Sequence, residues 1–182
     1  MRISVIGRGN VGGGLAQRWS TAGHEVQELG RDGGDASDSD VLLVAVPAGE
    51  IANALGAVSG IGGKLTIDAT NAVRGRNEEY ESLAHEVRSI VGGPTAKSFN
   101  LNFANIYDQI DAQRVRPSNL FCAEDEAREV TEQLIRDAGY EPVYAGGLER
   151  ARMLEDHLAL LFAVNQAGLG PFFYRYASPG EL

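Results

Sequence analysis

An α/β fold with a doubly wound, mainly parallel sheet is predicted by three observations. Short apolar runs alternate with segments of helical period along the whole chain. The run Asp40-Val41-Leu42-Leu43-Val44-Ala45-Val46-Pro47 is almost continuously apolar, as in parallel strands buried on both faces. A glycine-rich turn, Gly7 to Gly12, joins the first apolar run to the first helical one. The 182 residues suit one domain at roughly 150 residues per domain. We therefore read 1–182 as a single domain whose C-terminal, helical part begins at about residue 148.

The elements follow in order. Arg2 to Ile6 is a first strand, and Asn10 to Ala22 is a helix with Val11, Leu15 and Trp19 at helical spacing. Gly23 ends that helix and His24 to Leu29 returns as a strand, which nearly completes a βαβ unit. The polar segment Arg31 to Ser39 leads into the strand at Asp40 to Pro47. Gly49 to Val58 is predicted helical, Lys64 to Thr70 a fourth strand, Asn77 to Val91 a helix and Thr95 to Phe99 a fifth strand. Asn100 to Pro117 lacks a clear period and reads as a partly helical loop. Ser118 to Cys122 is strand, Asp125 to Ala138 helix and Tyr140 to Ala145 strand. The last helix, Leu148 to about Ala167, carries Leu154, Leu158, Leu161 and Phe162 on one side, which predicts packing on the sheet or on a partner subunit.

Composition narrows the function. A hydrophobic fraction of 43% and a charged fraction of 23% are those of an ordinary folded domain rather than a disordered chain. The 23 glycines are roughly twice the usual share and follow no period, so they mark turns and close backbone approaches. A net charge of −9 with no Lys/Arg run argues against nucleic acid. The longest apolar runs fall short of the roughly 18 residues that would span a bilayer, and the N-terminal run is too short for a signal peptide. No membrane association and a cytoplasmic location are the resulting expectations. Cys122 is the single cysteine, and His24, His85 and His157 are far apart, so no metal centre is predicted.

Gly7-Arg8-Gly9-Asn10-Val11-Gly12 is a G-x-G-x-x-G sequence directly after a strand and opening a helix, the context in which it signals a dinucleotide. The three glycines have separate tasks: Gly7 permits the tight turn, Gly9 leaves room for the pyrophosphate, and Gly12 lets helix and strand approach. Backbone N–H groups at the helix start then face the phosphates. The expected fold is an NAD(P)-binding Rossmann fold with a small C-terminal helical extension.

The end of the second strand discriminates between cofactors. Glu28 could accept the 2′-OH of an NAD ribose, whereas Gly30-Arg31 follows where a guanidinium would hold a 2′-phosphate bidentately. We read Arg31 as the 2′-phosphate ligand and Arg8 as its helper, which makes NADP(H) the expected cofactor. The alternative, that Arg31 is a solvated cation and Glu28 holds NAD, turns on strand register. Val46-Pro47 and Asn71 lie at later strand ends, where the nicotinamide half is expected; Asn71 reads equally as a ligand or a turn residue. Arg74 and Arg76 could meet an anionic substrate, although a solvated loop is the simpler account. His157 reads as a packing or interface histidine rather than a general acid. No nucleophile or acid–base set emerges, so no catalytic residue is assigned.

The segments from Arg2 to Gly12, Ala22 to Val26, Gly30-Arg31, Ala96-Lys97-Ser98-Phe99-Asn100 and Ala145 to Glu155 together resemble the NADP oxidoreductases that use coenzyme F420, a deazaflavin. The resemblance covers most of the chain, and its C-terminal segment is the more specific part. It implies a compact, commonly homodimeric Rossmann domain with a C-terminal helical addition that helps cover the deazaflavin. The implied reaction is hydride transfer between NADPH and F420 or a flavin-like acceptor, or reduction of another small acceptor such as a ferric chelate. Where the family usually shows Ser-Arg, this chain has Gly30-Arg31, which removes a hydroxyl donor. Hydride transfer between two planar rings needs alignment more than an acid–base dyad. A non-catalytic NADP(H) sensor is the alternative reading of the same residues.

Overall fold

The computed structural model describes residues 1–73 and 75–180. Nine strands follow among the described residues: β1 (Arg2–Ile6), β2 (Glu25–Leu29), β3 (Gly34–Asp35), β4 (Val41–Val44), β5 (Val58–Ser59), β6 (Leu65–Asp68), β7 (Thr95–Lys97), β8 (Ser118–Ala123) and β9 (Glu141–Tyr144). Seven of them form one sheet in the order β2-β1-β4-β6-β7-β8-β9, and β3 pairs with β5 in a small second sheet. The first five of the large sheet pair in parallel, as their register shows: Ile6 stands beside Leu29 on one side and Val44 on the other. The chain enters β8 antiparallel to β7, with Lys97 opposite Cys122, and β9 is parallel to β8. The sheet is therefore mainly parallel, and the N-terminal ends of β8 and β9 share an edge with the C-terminal ends of β1, β4, β6 and β7.

Alternation of side chains along each strand feeds two layers of helices. Val41 and Leu43 point with Ile3 and Val5 toward α1 (Asn10–Thr21) and α4 (Asp125–Asp137), whose Leu15, Trp19, Leu134 and Ile135 complete that side of the core. Leu42 and Val44 point the other way, against Ile51 and Leu55 of α2 (Ile51–Gly56) and Val87 and Val91 of α3 (Leu83–Val91). Helix α5 (Ala151–Val164) lies on this second side and packs Leu154 and Leu161 near Cys122. Both faces of β4 are thus covered, which is why its sequence carries no polar alternation.

The boundaries differ from the sequence reading in instructive places. The helix expected from Asn77 begins at Leu83, because the Ser82 hydroxyl accepts a hydrogen bond from the His85 N–H and caps it there. The helix expected over Gly49 to Val58 is a 3-10 turn at Ala48–Glu50 followed by α2, and Val58 instead joins β5. A 3-10 segment, Ala104–Ala112, occupies the loop expected from Asn100 to Pro117. Phe162, expected on the buried side of the last helix, is exposed. Its ring meets Phe103 edge-on at 6.3 Å, because only one narrow stripe of α5 faces the sheet.

One acidic side chain on α3 is buried without an ion-pair partner among the described residues. Burial pushes the Glu86 carboxyl above its ordinary range, and the nearby Asp68 adds to the shift. A carboxyl raised in the folded state favours folding only while it is protonated. Stability is therefore lost as pH rises from the unfolded value, about 4.3, toward the higher folded value. Glu86→Gln should raise the melting temperature at pH 7.5 and have little effect at pH 3.5, as thermal unfolding at the two pH values would check.

Candidate functional site

The strand order reverses between β1 and β4: the chain leaves β1 toward β2 on one side and later returns to β4 on the other. Such a switch point opens a crevice at the strands' C-terminal ends. Here that crevice begins at the Gly7 to Gly12 turn, and each of its glycines is required differently. Gly7 has φ of +112°, and a Cβ there would overlap the carbonyl of Ala45 and stand 3.0 Å from Val46 Cγ1. A Cβ on Gly12 would overlap the Gly7 carbonyl oxygen. Gly9 is the opposite case: no other atom lies within 4 Å of where its Cβ would be, and its φ of −79° is open to any residue. Space above Gly9 is open to a ligand rather than filled by the fold.

Gly9 is also the N-cap of α1, and it offers no side-chain cap to the helix's first N–H groups. No acidic residue lies in that first turn, where Asn10 and Val11 sit exposed and half-buried. The start of α1 therefore presents its free N–H groups to the crevice with no acidic residue in its own first turn, an arrangement suited to an anion; the carboxylate nearby is that of Glu28 on β2.

The turn after β2 supplies the charges. Gly30 to Gly33 forms a tight turn closed by the Gly33 N–H donating to the Gly30 carbonyl at 3.1 Å, and it places Arg31 exposed at its tip. Arg8 reaches across from the glycine turn and packs against the bare face of Gly30. Among the described residues neither Arg8 nor Arg31 has an ion-pair partner. The same holds of Arg114, Arg116 and Arg175, far along the chain, whereas Arg2, Arg18, Arg76, Arg88, Arg128, Arg136, Arg150 and Arg152 each have one. Glu28 pairs with Val5 one step before the end of β2 and leans toward α1, its Oε2 3.5 Å from where a Cβ on Gly13 would be.

At the other end of the crevice, Val46 is half-buried and Pro47 exposed, opening the Ala48–Glu50 turn. Asn71 is held: its amide donates to the Asn100 carbonyl at 2.8 Å, and the Asn100 amide donates back to Asn71 Oδ1 at 3.1 Å. Asn100 also donates to the Leu154 carbonyl of α5 at 3.2 Å. The Asn71 side chain thus clamps the ends of β6 and β7 to one another. Between Lys97 and Asn100 the chain turns at Phe99, a buried non-glycine residue at φ of +61° whose ring meets Trp19 edge-on at 5.7 Å. Such a conformation costs about 1–3 kcal/mol and persists only where packing over-determines it.

Sequence reasoning missed a buried ion network beneath this clamp. Lys97 Nζ, with no exposure, lies 2.7 Å from Asp68 Oδ2 and 3.3 Å from Glu155 Oε1, and donates to the Thr70 carbonyl at 2.7 Å. Asp68 Oδ1 accepts from the Thr70 N–H at 2.8 Å, so the ion pair grips both sides of that residue. Glu155 Oε1 accepts from the Leu83 N–H at 2.9 Å, and its Oε2 faces Arg76 Nη1 at 3.2 Å. Burial pushes the Glu155 carboxyl up, against the pull of Lys97.

Arg76 is not a solvated loop cation: its guanidinium is committed to Glu155 and Asp156 on α5. Arg74 lies outside the described residues. His157 is half-buried on α5, and Cys122 is fully buried, its thiol pushed up to about 12 by desolvation, so it is no nucleophile. Among the described residues no cluster of His, Cys, Asp and Glu could hold a metal ion, and no helix is long and apolar enough to cross a membrane.

The same architecture recurs in solved structures. A candidate F420-dependent NADP-reductase from Arthrobacter sp. FB24 superposes with a TM-score of 0.81 at 20% identity, over 97% of this chain and 99% of its own. This is a Rossmann fold. A hypothetical protein from Sinorhizobium meliloti matches at TM-score 0.66 and 24% identity, over 81% of this chain and 86% of that one. The reductive aminase from Aspergillus terreus, solved with NADPH and ethyl levulinate, matches at TM-score 0.68 and 15% identity, over 92% of this chain and 63% of the longer aminase. No family model matches the chain, and no curated protein does.

Two glycines separate folding from binding. Gly12→Ala should destabilise by about 1–3 kcal/mol through overpacking, measured by urea unfolding. Gly9→Ala should leave the melting temperature nearly unchanged and weaken dinucleotide binding, because its new methyl group enters only the open space.

Proposed function

We propose that the protein is an NADP(H)-dependent oxidoreductase that transfers hydride between NADPH and a small acceptor of the deazaflavin or flavin type. One observation carries the cofactor reading: the open space over Gly9, at an uncapped helix start, adjoins Arg8, which packs against the turn that carries Arg31, and neither arginine has an ion-pair partner among the described residues. These residues fit a dinucleotide. Gly9, Asn10, Val11 and Gly12 would receive the pyrophosphate, Arg31 with Arg8 the 2′-phosphate, and Gly7, Val46, Pro47 and Asn71 would border the remainder. Arg31 after β2, with Arg8 packed against the same turn, favours a 2′-phosphate over an unsubstituted ribose.

Bound NADPH would supply the hydride. The chain's own part is to hold and exclude: the clamped Thr70–Asn71 segment would give the crevice a fixed wall, and α5, tied to that segment through Asn100 and Glu155, would shield a second ring from water. The choice of a deazaflavin rests on the resemblance across both ends of the chain and on the named Arthrobacter neighbour. A homodimer and a cytoplasmic setting belong to the same proposal.

Rapid mixing of NADPH with oxidised F420 should bleach the deazaflavin absorbance faster than the enzyme-free control. Binding without turnover toward F420, flavins and ferric chelates would contradict the oxidoreductase and assign an NADP(H) sensor. Arg31→Ala should weaken NADPH by about 1.5–3 kcal/mol, as for a hydrogen bond to a charged group, and leave NADH nearly unchanged. Equal losses for both cofactors would remove Arg31 from the 2′-phosphate site.

A further inference from the structure

Gly30 poses a question that the turn itself does not answer. Its φ is not in the left-handed region, unlike that of Gly33 or Gly34 in the same turn, so its backbone does not require glycine. The three nearest atoms to a Cβ placed on it all belong to the guanidinium of Arg8, with Cζ and Nε both 2.8 Å away. The first thing that a side chain at this position would displace is Arg8.

Among the described residues Arg8 has no other anchor. It is exposed, it lacks an ion-pair partner, and it extends from the glycine turn with open space beside it at Gly9. A long cation of this kind loses several rotameric freedoms when it binds a ligand. A seat that already holds it near the β2 turn lowers that loss. Arg31 is the next residue after Gly30, so the seat holds the Arg8 guanidinium against the main chain that carries a second arginine. The carboxylates nearest in sequence are Glu28 on β2 and Asp32 on the turn, and neither forms an ion pair with them among the described residues.

We propose that Gly30 determines cofactor specificity by seating Arg8, so that a ribose 2′-phosphate is held by two guanidiniums, Arg8 and Arg31, rather than by Arg31 alone. The proposal rests on the NADP(H) reading above and assigns its selectivity to a pair of residues that act together. A dianionic phosphate monoester has acceptor oxygens enough for two planar forks. A 2′-hydroxyl needs neither, so the pair discriminates without touching the part of the cofactor that NADPH and NADH share.

The test is a double-mutant cycle on the intact protein: wild type, Arg8→Ala, Gly30→Ala and the double variant, each titrated with NADPH, NADH and adenosine 2′,5′-bisphosphate. Melting temperatures check that all four fold; alanine at position 30 adds the Cβ that would meet Arg8 and no hydroxyl that could itself bind phosphate. Arg8→Ala should weaken NADPH and the bisphosphate by about tenfold or more and change NADH by less than about twofold. Gly30→Ala should reproduce most of that loss, and the double variant should be no weaker than Arg8→Ala, since the glycine substitution acts by unseating the arginine. Wild-type selectivity for NADPH with additive effects, or with no effect of Gly30→Ala, would overturn the seat while leaving the NADP(H) reading intact. Failure of the wild type to bind either cofactor would overturn both.

Discussion

The buried contact between Lys97 and Asp68 fixes the edge of the sheet on which the candidate site is built. Two charges taken out of water cost several kcal/mol each, and their attraction repays that only where geometry and further hydrogen bonds are good. Lys97 meets that condition with Asp68, Glu155 and the Thr70 carbonyl around one ammonium group. Removing the lysine would leave two carboxylates without their shared counter-charge, a kind of loss that typically costs about 3–5 kcal/mol. Buried ion pairs often add no net stability over a well-packed hydrophobic core of the same volume. What this network adds is definition: β6, β7, the start of α3 and the middle of α5 are tied at one point.

The crevice then divides into two ends with different physics. At the glycine turn, backbone shape and helix dipole dominate: Gly7 and Gly12 bring main chain against main chain, and Gly9 keeps a space open. Side chains contribute there mainly through Arg8 and Arg31, which no carboxylate among the described residues neutralises. At the far end, side-chain hydrogen bonds dominate, with Asn71 and Asn100 joined reciprocally and Asn100 reaching the helix that covers them. The left-handed turn at Phe99 belongs to this second end and is held by a ring buried against Trp19. The two ends of the crevice are consequently held by different interactions.

Much of this was legible in the sequence. The apolar run at Val41 to Val44 showed a strand covered on both faces, and the spacing of Gly7, Gly9 and Gly12 showed where the crevice begins. The antiparallel entry of β8 was not legible, because apolar content at Phe121 to Ala123 is the same in either direction. Lys97 and Asp68 were missed for a related reason. A single lysine at a strand end reads as a solvated residue, and only the register that sets Asp68 beside it, with Glu155 about 58 residues further along the chain, reveals a buried pair. The signal available was weak: a lysine and an aspartate each closing an otherwise apolar strand. Asn71 was visible as a turn residue or a ligand, and the structure gives its amide a partner in Asn100. The role of Gly30 was hidden because a missing hydroxyl is apparent in a sequence, whereas the arginine that fills the vacated space is apparent only in three dimensions.

Calorimetric titration of the protein with NADPH and with NADH, side by side at one ionic strength, tests the account most directly. It predicts saturable heat for NADPH at one site per chain and a markedly weaker isotherm for NADH, with the difference shrinking as salt screens the arginines. No heat with either cofactor, or equal affinity for the two, would contradict it.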